Sequence, residues 1–262
     1  MTATLSRPAG PQPLRCYTAT TLRILRQLRT DRRTVAMILV VPAALMTLLY
    51  FVYKNYPEFP GEPRLFDRIG ITMLGILPFV VMFLITAIAM QRERVSGTLE
   101  RLMTTPISKL DLLAGYASAF SVAAAAQAAV ACLVAFWLLG LNSAGSPAFV
   151  VLIAILDAVL GVALGLLASA FARTEFQAVQ FMPVIVLPQF FLCGLLVPRG
   201  QLPGWLGAIS DVLPLSYAVD ALQQVSTHTG ATGLMWRDLA VVAAFAAVAL
   251  ILGAATLRRR TA

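Results

Sequence analysis

Six nearly uncharged apolar runs, at residues 35–53, 69–90, 113–139, 148–172, 176–197 and 239–257, limit what this chain can fold into. A helix crossing the hydrocarbon core of a bilayer needs about 20 apolar residues. Inside that core each backbone N–H and C=O must be bonded within its own segment, which leaves helices as the spanning structure for runs of this length. The fold class is therefore an all-α polytopic membrane protein with six transmembrane helices. Charged residues make up only 12% of the 262-residue chain, about half the usual share in soluble domains. We expect one membrane domain over 35–262, preceded by a tail and helix over 1–34, and no second globular domain.

The net charge of +8 raises the question of a nucleic-acid partner. The placement of the charge answers it, because basic residues flank the apolar runs. Fifteen of the 20 basic residues fall in alternate polar segments: the N-terminal segment, 91–112, the 173–175 turn and the C-terminus. The positive-inside rule then puts both termini on the cytoplasmic side, and no nucleic acid is expected as a partner. Residues 1–13 read as a loose tail. Over 15–34, a 100° wheel groups Tyr17, Thr21, Ile24, Leu25 and Leu28 on one face and Arg15, Arg23, Arg26, Arg29 and Arg33 on the other. That pattern predicts an amphipathic helix lying in the membrane interface; a charged flank that only fixes orientation is the competing reading. The Arg32–Arg33 pair is not a twin-arginine export signal, since the apolar run after it is too long and lacks a cleavage site.

The polar island at 91–112, QRERVSGTLERLMTTPISKLDL, lies between two spans and carries Arg92, Arg94, Arg101, Lys109, Glu93, Glu100 and Asp111. Gly97 can interrupt the helix running out of the second span. Leu99, Leu102 and Met103 give Thr98–Met103 the spacing of a short helix, which Thr104, Thr105 and Pro106 would end. Ser108-x-x-Asp111 fits the start of the next helix. A short transverse helix of this kind can dock on a soluble partner through Glu100 and Arg101 with Leu99, Leu102 and Met103; a solvated loop is the alternative.

The run R-E-R-x-x-G-T-L-E-R-L-x-x-T-P-I-S, from Arg92 to Ser108, resembles the signature of type-2 ABC transporter permeases, in the branch of bacterial drug and lipid exporters related to the daunorubicin-resistance permeases. The likeness extends along nearly the whole chain, including the Leu-Pro-x-Trp and Leu-Pro-Leu-Ser-Tyr stretches at 202–205 and 213–217. It departs at Tyr116, where the family often has lysine, a residue expected to anchor the interface. The resemblance implies a bacterial cytoplasmic-membrane permease. Its partners would be two copies of an ATP-binding subunit and a second permease chain, the same or related, amid membrane lipid. It also implies that Glu93, Gly97, Thr98, Leu99, Glu100, Leu102 and Pro106 form the coupling region, that 15–34 is the interfacial helix, and that re-entrant outer helices occupy about 200–225. Neither Lys54 nor Lys109 sits in the G-x-x-x-x-G-K-[ST] setting of a phosphate-binding loop. The chain is therefore expected to be no enzyme and to hold no cofactor, with ATP and Mg bound by the partner.

Asp157 is the one ionisable residue deep inside a span. It shares a face with Gly161 and Gly165 in a small-residue pattern suited to helix packing. Structural hydrogen bonding and a transport role both remain open for it. By the resemblance, spans two and five line a route for hydrophobic or amphipathic substrates, with Phe79, Phe83, Thr86, Gln180, Gln189 and Phe190 as its candidates; each phenylalanine can equally be core or lipid-facing. Cys16, Cys132 and Cys193 lack metal-ligand spacing and His228 has no second ligand nearby, so no metal site is expected. The expected function is the permease subunit of an ATP-driven exporter. A stand-alone ion-driven carrier is the alternative, weakened by the lack of a second intramembrane charge. An intramembrane enzyme would need a nucleophile–base pair or metal ligands at membrane depth, which the chain does not offer.

Overall fold

The computed structural model describes residues 13–57, 63–104 and 108–256, with backbone only for 13–16, Leu99, Glu100 and Met103. In order come α1 (Pro13–Thr30), α2 (Arg32–Tyr53), α3 (Leu65–Val95), α4 (Thr98–Met103), α5 (Lys109–Leu133), α6 (Pro147–Ser169), α7 (Glu175–Leu192), α8 (Gly204–Val212), α9 (Pro214–Thr227) and α10 (Gly233–Thr256). One π-helical turn, Val134–Leu138, prolongs α5, and a 3-10 turn, Arg199–Gln201, precedes α8. Six helices are long and apolar enough to cross a membrane: α2, α3, α5 with its π turn, α6, α7 and α10. They correspond one to one with the six apolar runs.

The helix ends differ from the sequence reading for identifiable reasons. The segment 15–34 is not one helix. It breaks at Asp31, whose carboxylate accepts the Thr34 N–H at 3.2 Å and the Thr34 hydroxyl at 2.7 Å and so starts α2. These bonds, the hydroxyl's first, hold the Asp31 carboxyl below its usual range. The second span runs on to Val95 and stops where Gly97 takes φ +71°, a conformation that glycine adopts without strain. α5 begins at Lys109, where the Ser108-x-x-Asp111 pattern put it, the Ser108 hydroxyl accepting the Asp111 N–H at 3.0 Å. α7 ends at Leu192 rather than 197, before Gly194 at φ +93°. α10 begins at Gly233 rather than 239, with the Thr232 hydroxyl accepting the Met235 N–H.

α3 is the axial element and is buried along most of its length, packing on α2, α5, α6, α7 and α9. Its closest partner is α6. A Cβ on Gly161 or Gly165 would press into the carbonyl oxygens of Phe79 and Phe83 respectively, so the two backbones touch along the small-residue face. α2 and α7, by contrast, leave most of their apolar surface uncovered.

At the end remote from the island, Arg64 donates two 2.9 Å bonds to Asp67 and a 2.5 Å bond to the Gly140 carbonyl. Asp67 in turn accepts the Asn142 N–H. This clamp fixes the start of α3 against the α5–α6 connection.

Candidate functional site

The island is divided between two settings. Gln91–Val95 forms the last turn and more of α3, while Thr98–Met103 is the short helix α4, separated from it by the Gly97 turn. The Ser96 and Thr98 hydroxyls bond across that turn at 3.0 Å, and the Thr104 hydroxyl closes α4 on the Arg101 carbonyl at 2.7 Å. Arg101 is exposed and Leu102 is half-buried against the hydrophobic core at this end. Leu99 and Glu100 fall in α4, with their side chains outside the described residues, and Pro106 lies outside them altogether.

Glu93 faces inward and is 8% exposed. Its Oε1 lies 3.6 Å from Nη1 of Arg23 on α1. Arg23 also donates to the Tyr116 hydroxyl on α5 at 2.6 Å, with its guanidinium carbon 5.7 Å from that ring's centroid. Glu93, Arg23 and Tyr116 thus join three helices at the island end. Gly115 allows the approach, because a Cβ there would meet the Thr20 side chain of α1 at 2.8 Å. Tyr17 on α1 and Ser118 on α5 share a further 2.7 Å bond.

One expectation is corrected by this cluster. Arg23 does not point away with the other arginines of α1, because its partners wait on the inner side. Tyr116, where the resemblance departs from lysine, is 1% exposed and packs against α1. Neither residue could be picked out on a helical wheel, since their pairing is a contact between elements 93 residues apart. A cavity of about 420 Å³ adjoins the cluster, walled by α1, the start of α2, the end of α3 and α5, with Ser96 and Thr98 at its edge.

Of the residues named for the substrate route, Phe79, Phe83 and Phe190 share one apolar cluster. Phe79, Phe83 and Thr86 are fully buried, the two phenylalanines against α6. Gln189 is buried too and ties α7 to α9: its side-chain oxygen accepts the Leu215 N–H at 3.3 Å and its amide donates to the Ile185 carbonyl at 3.0 Å. Gln180 is exposed and Phe190 half-buried on α7.

Asp157 is completely buried, and neither carboxyl oxygen has a hydrogen-bond partner among the described residues. Of the two roles open for it, structural hydrogen bonding finds no partner among the described residues. A Cβ on Gly75 of α3 would come within 3.3 Å of its Oδ2. An unbonded buried polar group disfavours folding, while truncation leaves only a small void. Asp157→Ala should accordingly change unfolding stability in detergent by no more than about 1 kcal/mol. A loss above about 2 kcal/mol would reveal a bonded partner and restore the structural role.

Residues 15–226 match the family described as ABC-2 type transporter. A membrane bundle of six apolar helices with a short helix between its second and third spans is the class this defines, and the chain belongs to that family. Among its relatives is the probable multidrug ABC transporter permease YbhR of Escherichia coli strain K12, 24% identical over 168 residues, which are 64% of this chain and 46% of that protein. Another is the linearmycin resistance permease protein LnrN of Bacillus subtilis strain 168, 28% identical over 165 residues, 63% of this chain and 43% of that protein. ABC transporter G family member 20 of Dictyostelium discoideum is 26% identical over 185 residues, 70% of this chain and 25% of that protein. The matched part of the chain spans less than half the length of each of these relatives.

Proposed function

We propose that this chain is the membrane subunit of an ATP-driven exporter of hydrophobic or amphipathic compounds, drug-like or lipid, in a bacterial cytoplasmic membrane. ATP and Mg would be bound and hydrolysed by a separate ATP-binding subunit, present in two copies, and a second permease chain would complete the complex. The observation that carries the reading is α4, a six-residue helix set between the ends of α3 and α5 in a chain of the ABC-2 family. The names of the E. coli and B. subtilis relatives, multidrug and linearmycin resistance, support a drug-like substrate.

The geometry suits a lever. α4 adjoins α3, and α3 is one continuous helix of 31 residues, about 46 Å long at 1.5 Å per residue. A push on α4 would be received by the α3 end, which Glu93 ties through Arg23 to α1 and to Tyr116 of α5. The three helix ends would move together, and α3 would carry the displacement to the far end, where it packs on α9. The uncovered apolar faces of α2 and α7 are available to the second permease chain and to lipid.

The test is co-purification and ATPase activity in nanodiscs with the candidate ATP-binding subunit. Arg101→Glu, on an exposed side chain, and the Glu100→Ala/Leu102→Ala double variant should each lower permease-dependent ATPase by about tenfold or more, since charge reversal and lost apolar contacts at a docking helix typically cost 1–2 kcal/mol or more. If the chain instead transports alone, with no ATPase present, the coupling assignment fails and an ion-driven carrier is the better reading.

A further inference from the structure

A second cavity, of about 220 Å³, lies at the end of the bundle remote from the island, between the start of α3, Asn142 of the α5–α6 connection, residues 194–198 and the end of α9. We propose that it holds the head of a phosphate-linked polyol, an anionic phosphate bearing free hydroxyls, as in a glycerophospholipid whose tails stay in the bilayer. Its volume is below the range of about 300–1,000 Å³ that drug-sized ligands occupy, so it suits a head group and not a whole amphiphile. Its walls are tied together before any ligand arrives, which lowers the cost of binding. The Gly145 N–H donates to the Val225 carbonyl at 2.9 Å, the Asn142 N–H to Asp67 at 2.9 Å, and the Gln223 amide to the Gly194 carbonyl at 3.4 Å.

The charges around the cavity leave one basic side chain over. Asp67 is in the lining, already matched by two bonds from Arg64 and by the Asn142 N–H. Arg199, whose stem passes Gly194, is paired with Asp211 and Asp220. Arg68, also in the lining, is exposed and has no ion pair among the described residues. It stands at the head of the apolar run 69–90, where a long basic side chain reaches the phosphate level of a bilayer. A phosphate oxygen accepts hydrogen bonds, and a guanidinium is its matching donor.

The uncharged groups ask for the opposite partner. The Ser226 and Thr227 hydroxyls donate to the Gln223 carbonyl at 2.8 and 2.9 Å, so they offer lone pairs. Asn142 and Gln223 give amide bonds to the Gly140 and Gly194 carbonyls, while their side-chain oxygens accept nothing among the described residues. Asn142 and Thr227 are exposed and Gln223 and Ser226 half-buried, so a ligand can reach them. Acceptors of this kind take hydroxyl donors. A trimethylammonium head has no donor and meets Arg68 as a like charge. A sugar without phosphate leaves the guanidinium unmatched.

The test is native mass spectrometry of the purified chain in dodecyl maltoside, titrated with dioleoyl lipids and with no ATP-binding subunit, so it is independent of the exporter reading. Phosphatidylglycerol should fill its first site about tenfold or more tighter than phosphatidylcholine, the difference a charged hydrogen bond makes. Arg68→Gln should weaken phosphatidylglycerol and phosphatidic acid alike by about tenfold, with an unchanged melting temperature. Gln223→Leu should weaken phosphatidylglycerol by about three- to tenfold and leave phosphatidic acid, which has no polyol, as it was. Millimolar glycerol 1-phosphate separates the sources of the head: competition assigns the site to a free phosphorylated polyol, and no competition to the membrane lipid. Equal binding of phosphatidylglycerol and phosphatidylcholine, no effect of Arg68→Gln, or an equal loss of both acidic lipids in Gln223→Leu would overturn the proposal.

Discussion

Gly161→Val should cost the chain about 3 kcal/mol or more of unfolding stability in detergent, enough to deplete the folded protein. The reason is a contact between backbones. A Cβ at Gly161 would lie 2.3 Å from the Phe79 carbonyl oxygen, inside its van der Waals space, and 3.1 and 3.2 Å from the carbonyl carbon and Cα of the same residue. The carbonyl cannot rotate away, because it belongs to α3, the most buried helix of the bundle, so α6 must move outward as a body. That movement would open the packing around Leu160 and Ala163, which are fully buried. Gly207→Ala supplies the contrast. Gly207 lies inside α8 with nothing within 4 Å of its built Cβ, so alanine there should be neutral or stabilising by about 0.5–1 kcal/mol. Equal effects from the two substitutions, read by thermal or denaturant unfolding, would mean that α3 and α6 do not meet as described.

Arg199→Ala should destabilise by about 2–4 kcal/mol at about pH 7, with a smaller deficit in acid. Arg199 forms ion pairs with Asp211 of α8 and Asp220 of α9, and its guanidinium carbon lies 5.3 Å from the Tyr217 ring centroid. Asp211 is largely exposed and contributes little. Asp220 decides the outcome. Burial raises its carboxyl above the usual value of 3.8, and Arg199 opposes that rise. The folded chain therefore keeps the Asp220 proton to higher pH than the unfolded chain, and stability falls as pH rises through the raised value. Without Arg199 the value rises further, so the penalty of ionisation grows near neutrality and disappears once the carboxyl is protonated. Unfolding measured at about pH 4 and about pH 7 should show the variant closer to wild type at the lower pH. A pH-independent deficit would mean that Arg199 acts by packing on Tyr217 alone.

Much of the architecture was legible because the signals are local. Six apolar runs specify six helices whatever surrounds them, since the bilayer leaves no other way to bond those backbones. Gly97 and Ser108 marked real helix boundaries, because a positive φ and a hydroxyl cap are properties of one or two residues. The glycines of α6 were read correctly as a packing face, but the sequence could not name α3 as the partner. Asp31 was passed over as one charge among arginines, and its capping bond splits what looked like a single amphipathic helix.

The candidate site was less legible. The island was found from its charges, and α4 from its spacing and Gly97. The Arg23–Glu93–Tyr116 cluster was not found, since it joins α1, α3 and α5 across large separations and each residue alone looks ordinary: an interfacial arginine, a loop glutamate, a substituted anchor. Glu93 was grouped with the coupling residues by resemblance, and its carboxylate turns into the protein toward Arg23. Of the six residues named for a substrate route, Phe79, Phe83 and Phe190 lie in one apolar cluster, and Gln189 serves the α7–α9 contact.

The sequence by itself determined the number of spans, the class of fold, the family signature and the place of the short helix. Each of these depends on composition or on neighbours a few residues apart. Tertiary structure alone decided which faces meet, which charges are paired and where a cavity remains, because those depend on the distance between side chains on different helices, and the linear order of residues does not set that distance.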